Sequence, residues 1–391
     1  MSSNKPIYLN NAATSWPKPE PVVEKMLWAI RELSSTPGRA GYSALQGERE
    51  IFEAREEVAR FIGAQDSSRI IFTSNATQAL NLAITGFLRE ACHVITTSMD
   101  HNSVVRPLAR AEDEIGVEVT RVQADEKGMV RAGAVTEAIT SRTRLIVLTH
   151  ASNVVGSIQP VEEICGSLGT SDGVRPVVLL DAAQSMGVLP LNVAETGIDL
   201  LAVPGHKSLY GPQGTGFLYI APGVDLVPIT EGGTGGQSTL IRQPEVLPEK
   251  FESGTPNTPG IAALGEAIRF INSRGMDNIR NHEQKLVEIL TEGLSKIQGV
   301  VLYGPDSPED QVAVLSFNVE DLDPAEVGSF LEQTRGIQVR VGLHCSPLSH
   351  RTIGTFPEGT VRVSPGIFTT EEEALSLVEG VRELQKFRGN N

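Results

Sequence analysis

Lys207 and Asp181 are the two side chains of this sequence whose pairing could do covalent chemistry on a carbonyl compound. Asp181 ends the apolar run Val177-Val178-Leu179-Leu180, which places a carboxylate at the C-terminal edge of a buried strand, where α/β sheets bind ligands. Lys207 follows the apolar stretch Leu200 to Val203 in the turn Pro204-Gly205-His206-Lys207, and the glycine there lets backbone approach a ligand closely. A lysine taken out of bulk water can release its proton and form a Schiff base. A pyridinium nitrogen needs an anionic partner and an aldehyde needs an amine, so the two residues together suit a pyridine aldehyde. A third segment, Thr73-Ser74-Asn75-Ala76-Thr77, follows a strand and opens the helix Gln78 to Arg89, and its amides, hydroxyls and helix dipole suit an anion. Each has a plainer role when taken alone: Asp181 or Asn75 as a helix cap, Lys207 as a solvated charge.

Cysteine chemistry centres on Cys345, in Arg340-Val341-Gly342-Leu343-His344-Cys345-Ser346-Pro347. Glycine, histidine and proline around it predict a loop, and a cation at His344 or Arg340 would favour its thiolate. Cys92 and Cys165 read as buried structural cysteines, the usual role of the residue. Three cysteines provide neither a disulfide framework nor a zinc spacing, which points to a reducing, cytoplasmic setting. Formal charge is −15 over 391 residues with no basic block, which argues against nucleic-acid and anionic-membrane partners. The first residues lack a signal-peptide pattern, and no apolar run approaches a membrane span.

The elements that must position these residues are short β-branched runs alternating with helical segments between Arg69 and Ile220. The runs are Arg69 to Thr73, His93 to Thr97, Val117 to Val122, Arg144 to Thr149, Val177 to Leu180, Leu200 to Val203 and Gly216 to Ile220. This alternation predicts an α/β fold around a mostly parallel sheet. The Gly- and Pro-rich stretch Glu231 to Gly260 reads as a long loop region, of a length that is functional or disordered. Beyond it, Ile261 to Asn272, Asn281 to Ile297, Pro324 to Gln333 and Thr370 to Lys386 read as helices, and Val312 to Val319 and Thr360 to Ser364 as strands. Thr370 with Glu373 fits a capping box. The expected division is a large domain over 15–260 and a smaller α+β domain over 261–391, completed by residues 1–14 and a strand around Ile7 to Leu9.

In combination, these motifs resemble the fold type I pyridoxal-phosphate enzymes of the class V aminotransferase group, specifically its cysteine desulfurase and selenocysteine lyase family. The resemblance rests on Tyr8-Leu9-Asn10-Asn11-Ala12-Ala13-Thr14, Ser74-Asn75-Ala76-Thr77, Asp100-His101-Asn102-Ser103 and Ser152-Asn153-Val154-Val155-Gly156. It continues through Asp181-Ala182-Ala183-Gln184, Gly205-His206-Lys207, Gly254-Thr255-Pro256-Asn257 and the segment around Cys345, and runs to Arg362. It implies a large parallel-sheet domain with a smaller domain, pyridoxal 5′-phosphate as cofactor and a homodimer with shared sites. Lys207 would carry the cofactor and move the substrate's Cα proton, Asp181 would pair with the ring nitrogen, Gln184 would bond the ring hydroxyl, and His101 would stack on the ring. Ala76, Thr77 and His206 would hold the phosphate, with Thr255 reaching the phosphate of a neighbouring subunit. Asn153 and Arg362 would hold the substrate, the guanidinium suiting a carboxylate. Cys345 would take sulfur from L-cysteine as a persulfide for transfer to an acceptor protein, leaving L-alanine. The alternatives are an aminotransferase, a C–S lyase for cystine or modified cysteine, and a selenocysteine lyase. Pro204 stands where the family has a serine or threonine, removing one phosphate-binding hydroxyl, and Leu343 stands where short-loop desulfurases have a second histidine. The spacing from Cys345 to Arg362 is that of the short-loop group.

Overall fold

Strands rich in valine, isoleucine and leucine on both faces require cover on both sides, and the chain supplies it by threading helices between them. The structure, a computed structural model, describes residues 5–33, 42–169 and 175–389. A short strand β1 (Ile7–Tyr8) precedes helices α1 (Glu20–Glu32) and α2 (Tyr42–Ile62). Next come β2 (Ile70–Thr73), α3 (Ala76–Phe87), β3 (His93–Thr97), α4 (Asn102–Ile115), β4 (Glu118–Val122) and α5 (Ala132–Glu137). The large sheet is completed by β5 (Thr143–Thr149), α6 (Val161–Ser167), β6 (Val177–Asp181), α7 (Val193–Thr196), β7 (Leu200–Pro204) and β8 (Gly216–Ile220).

These seven strands lie in the order β2-β8-β7-β6-β5-β3-β4. The run from β7 to β4 is parallel, whereas β8 is antiparallel to both β7 and β2. β2 therefore runs the same way as β7, and the C-terminal ends of β2, β3, β5, β6 and β7 share one edge. Side chains alternate between two cores. Ile146, Leu148, Val178, Leu180, Leu201 and Val203 enter one, and Leu145, Val147, Leu179, Leu200 and Leu218 the other. Each such burial contributes about 1.5–3 kcal/mol, which fixes strand register and hence which residue ends each strand.

The remainder comprises α8 (Thr258–Arg274), α9 (Met276–Ser295), β9 (Val300–Tyr303), β10 (Leu315–Val319), α10 (Pro324–Arg335), β11 (Ile337–Gln338), β12 (Arg340–Gly342), α11 (Pro347–Thr352), β13 (Thr360–Val363) and α12 (Glu371–Gly389). A second sheet, antiparallel, has the order β12-β13-β10-β9. Phe317, Val361, Leu286, Leu377 and Leu9 share its core. β1 pairs in parallel with β11, so the chain's beginning is stitched into this smaller body. The capping box at the last helix is present: Glu373 N donates to Thr370 Oγ1 at 3.2 Å and Thr370 N to Glu373 Oε2 at 2.9 Å. Leu264, Ile268 and Ile271 of α8 join the core of the large sheet, and α8 also packs on α1 and α2. The division expected after Gly260 assigns α8 and α9 to the smaller domain, and residues of both, Ile279 of α9 included, contribute to the core of the large sheet.

Residues 231–257 form no helix or strand. This loop is anchored at its far end by Glu252, whose carboxylate takes both guanidinium nitrogens of Arg55 at 2.7 and 2.8 Å and the Phe72 amide at 2.6 Å. Arg55 is 6% exposed, so removing its partner strands a buried cation. Glu252→Gln is expected to lower unfolding free energy by about 3 kcal/mol in chemical denaturation; a loss under about 1 kcal/mol would show that the anchor is dispensable.

Candidate active site

The shared strand edge opens into a cavity of about 220 Å³. Lys207, Asp181, Gln184 and His206 line it from the ends of β6 and β7, and Ala76, Thr77 and His101 from the ends of β2 and β3. Asn153, Cys345 and Arg362 close it from the loop after β5 and from the small body. Thr255 alone among the expected residues stands outside this cavity, exposed on the long loop.

Lys207 sits in a turn that is braced from several sides. Gly205 N donates to Thr215 O at 2.8 Å, Tyr210 N to Lys207 O at 2.8 Å and Gly211 N to Gly205 O at 2.7 Å. The preceding carbonyl, that of His206, accepts from Thr14 Oγ1 at 3.1 Å, Ser15 N at 3.0 Å, Ser15 Oγ at 3.2 Å and Lys18 Nζ at 2.9 Å. Gly187 (φ 100°) lies so close behind the turn that a Cβ would stand 2.3 Å from Ser208 O. The amine keeps some surface toward the cavity but is otherwise enclosed. Burial pushes its pKa down to about 8, with Asp181 pulling upward and Arg362 and Arg340 downward. Burial pushes Asp181 up to about 6 against the attraction of Lys207 and an Ala183 N–H bond of 2.9 Å. The helix-cap role open to Asp181 in the sequence is not realised: this bond closes a turn, and the next helix, α7, is capped by Asn192.

Asn75 caps α3 by accepting from Gln78 N at 2.9 Å, which leaves the first amides of the helix at Ala76 and Thr77 on the cavity wall. Gly216 lets β8 start here: a Cβ on it would lie 2.7 Å from Val203 O and 3.1 Å from the Asn75 backbone. Pro204 lines this end without a hydroxyl, and the Thr77 and Ser103 hydroxyls, 2.8 Å apart, lie in the same wall. His206 Nδ1 is buried without a partner. His101 caps α4, its Nδ1 accepting from Ser103 N at 3.1 Å, so the neutral ring carries its proton on Nε2. Burial and the surrounding cations lower its pKa to about 4. Gln184 donates through Nε2 to Ala12 O at 3.0 Å.

Arg362 is 2% exposed and donates to Asn153 O at 2.8 Å and Asn10 Oδ1 at 3.1 Å, while its Nε has no partner. Burial and Arg340, its cross-strand neighbour in β12–β13, lower its pKa to about 9. A buried guanidinium without a carboxylate is suited to receive one. Cys345 is the exposed cysteine, whereas Cys92 and Cys165 are buried. It lies close enough to Lys207 and Arg362 for its charge to favour their protonated forms. Its turn is strained: His344 (φ 50°) and Cys345 (φ 60°) are consecutive left-handed residues, at about 1–2 kcal/mol each. Of the two cations the sequence offers to the thiol, His344 is removed by burial, which lowers its pKa to about 2 while Nε2 pairs with Thr360 Oγ1 at 3.1 Å. Arg340 remains, on the cavity wall.

Sequence reasoning missed Ser103, Asn10, Lys18 and Ser346 as parts of this site. Asn10, Ser103 and Ser346 lie inside quoted motifs, which was the available signal; Lys18 carried none. The cavity meets a phosphorylated pyridine aldehyde with one complementary group at each point: helix amides for the phosphate, a carboxylate for the ring nitrogen and an amine for the aldehyde. Without a ligand, acylation of Lys207 is expected to rise with pH through about 8 as Nζ loses its proton. Asp181→Asn removes the anion that holds this proton and shifts the rise to lower pH. Peptide mapping after acylation across the pH range checks this, and an unmoved midpoint would separate the two residues.

Among the described residues, no helix is long and apolar enough to cross a membrane. Among curated proteins, the chain is 38% identical to a "Probable cysteine desulfurase" of Methanothermobacter thermautotrophicus over 97% of this chain and 94% of that protein. It is 32% identical to a "Cysteine desulfurase" of Yersinia pseudotuberculosis over 98% of this chain and 94% of that protein. The apo cysteine desulfurase of Thermococcus onnurineus superposes with a TM-score of 0.87 at 32% identity, covering 98% of this chain and 95% of that one. The family model for aminotransferase class-V matches residues 7–377, and with it the sheet, the cavity and the lysine turn: the chain belongs to the class-V aminotransferase family.

Proposed function

We propose that this protein is a pyridoxal 5′-phosphate-dependent cysteine desulfurase that converts L-cysteine to L-alanine and receives the sulfur on Cys345. The observation that carries the reading is an exposed cysteine on the wall of a cavity that also holds Lys207, Asp181 and an uncompensated Arg362. An aminotransferase needs the last three and has no use for the thiol.

Ala76, Thr77 and His206 would hold the cofactor phosphate, with the Ser103 hydroxyl supplying the donor that Pro204 lacks. Asp181 would face the ring nitrogen, Gln184 the ring hydroxyl and His101 the ring. When bound, the cofactor supplies an electron sink for the substrate Cα. Arg362 takes the substrate carboxylate, and Asn153 braces Arg362 through its carbonyl. Lys207 Nζ, with its pKa lowered to about 8 by burial, accepts the Cα proton near neutral pH and holds it within the cavity. Cys345 Sγ attacks the substrate sulfur: the Sγ–S bond forms, the substrate's C–S bond breaks and its electron pair stays with carbon, which is protonated to give alanine. An acceptor thiol then removes the outer sulfur. Arg340 lines the same cavity as Cys345.

Thr255, exposed and away from its own chain's cavity, is proposed to reach the phosphate in a second copy of the chain, which makes the working unit a homodimer. Thr255→Ala is expected to raise cofactor loss several-fold in dialysis, and a monomer in sedimentation would refute this arrangement. For the reaction, Cys345→Ser should retain the absorbance of cofactor on Lys207 yet form no protein persulfide from L-cysteine, with alanine release falling to a few per cent or less. Alanine formation at the wild-type rate would remove Cys345 from the mechanism, and pyruvate with thiocysteine from L-cystine would favour a C–S lyase.

A further inference from the structure

A nucleophile on two successive left-handed residues stays in place only if its surroundings over-determine it. Here the restraint comes from the large body. Asn153 Nδ2 donates to His344 O at 2.8 Å, and Ser346 Oγ donates to Asn153 Oδ1 at 2.8 Å, so one amide grips the chain on both sides of Cys345. The His344 carbonyl must receive an N–H, which fixes which way the Asn153 amide is turned. Asn102 N donates to Cys345 O at 2.9 Å, tying the nucleophile's own carbonyl to the start of α4 beside His101. Ser346 N closes the turn on Leu343 O at 2.8 Å. Ser346 occupies the N-cap of α11, where a serine hydroxyl ordinarily bonds the helix amides, yet it makes no such cap. The hydroxyl is fully buried and turned instead toward Asn153.

We infer that Ser346 and Asn153 form a clamp that sets where the Cys345 thiol stands relative to the bound substrate, which makes Ser346 a positioning residue for sulfur transfer. The inference rests on the reading of Cys345 as the sulfur acceptor and adds how it is aimed. All three large-body contacts cross to a turn carried by the small body, so the clamp also registers one body against the other. Misplacement of a reacting atom by about 1 Å costs on the order of a hundredfold in rate, whereas capture by a small reagent from solution needs no such alignment.

The test compares Ser346→Ala and Ser346→Thr in the full chain carrying its cofactor. With Ser346→Ala, persulfide on Cys345 in a single turnover with L-cysteine should form about tenfold or more slowly. Alkylation of Cys345 by iodoacetamide should stay within about twofold, and the cofactor absorbance should not change. Ser346→Thr keeps the hydroxyl and should recover the rate. In the cofactor-free chain, amide exchange over 343–346 should quicken in the alanine variant and not in the threonine one. Wild-type persulfide rates in Ser346→Ala, or parallel losses of persulfide and alkylation, would overturn the clamp. Glycine, an accepted N-cap residue, replaces alanine should that variant not fold. Absence of persulfide on the wild-type chain is a separate outcome that removes the desulfurase reading and the clamp with it.

Discussion

An amine held out of bulk water must either find an anion or surrender its proton, and the site is organised around how Lys207 meets that choice. Burial drives it toward neutrality, Asp181 opposes this from the next strand, and Arg362 and Arg340 side with burial. The outcome is a pKa of about 8, at which the amine can exist in both forms near neutral pH. Asp181 is raised to about 6 by the same enclosure, so the pair is balanced and neither charge is held firmly. Such a balance requires fixed distances. The parallel pairing of β6 with β7, which sets Asp181 beside Ala202, supplies them.

Everything else in the cavity is placed by the same edge. Strand ends carry the residues that would meet a cofactor, and the small body brings Arg362 and Cys345 across to face them. The two arginines directly opposite each other on β12 and β13 would repel. One is buried and held by Asn153 and Asn10, while the other is exposed, so the pair is separated by solvation as well as by distance. The cavity thus holds one fixed, buried cation and one solvated one.

Much of this was legible in the sequence because its signals were local. Val177 to Leu180 suited a strand covered on both faces, which put Asp181 where a ligand would be met. Thr370 and Glu373 marked the start of the last helix three residues apart. Where the physics was long-range, reading stopped. Helices α1 and α2 went unread because α2 is crowded with charges whose partners lie elsewhere in the chain, such as Glu252 for Arg55 and Lys25 for Glu50. The sequence could not choose between His344 and Arg340 beside the cysteine, since burial alone decides which of them is charged. Ser346 carries no local sign of its partner, which is 193 positions away. The loop's composition ends at Gly260, and that the apolar face of α8 joins the core of the large sheet is a long-range contact composition does not reveal.

The stretch from Tyr8 to Lys18 spans both bodies: β1 lies beside β11, Asn10 bridges to Ser364, and Thr14, Ser15 and Lys18 hold the carbonyl ahead of the reactive lysine. Those residues leave the ribosome long before their partners at 337–338 and 364. The large sheet can therefore close during translation while the segment that braces the lysine turn still lacks its own anchors in the smaller body. Completion of the site is a late event in the life of the nascent chain, tied to the arrival of the C-terminal strands, so a truncated translation product would have its main core without a finished catalytic pocket.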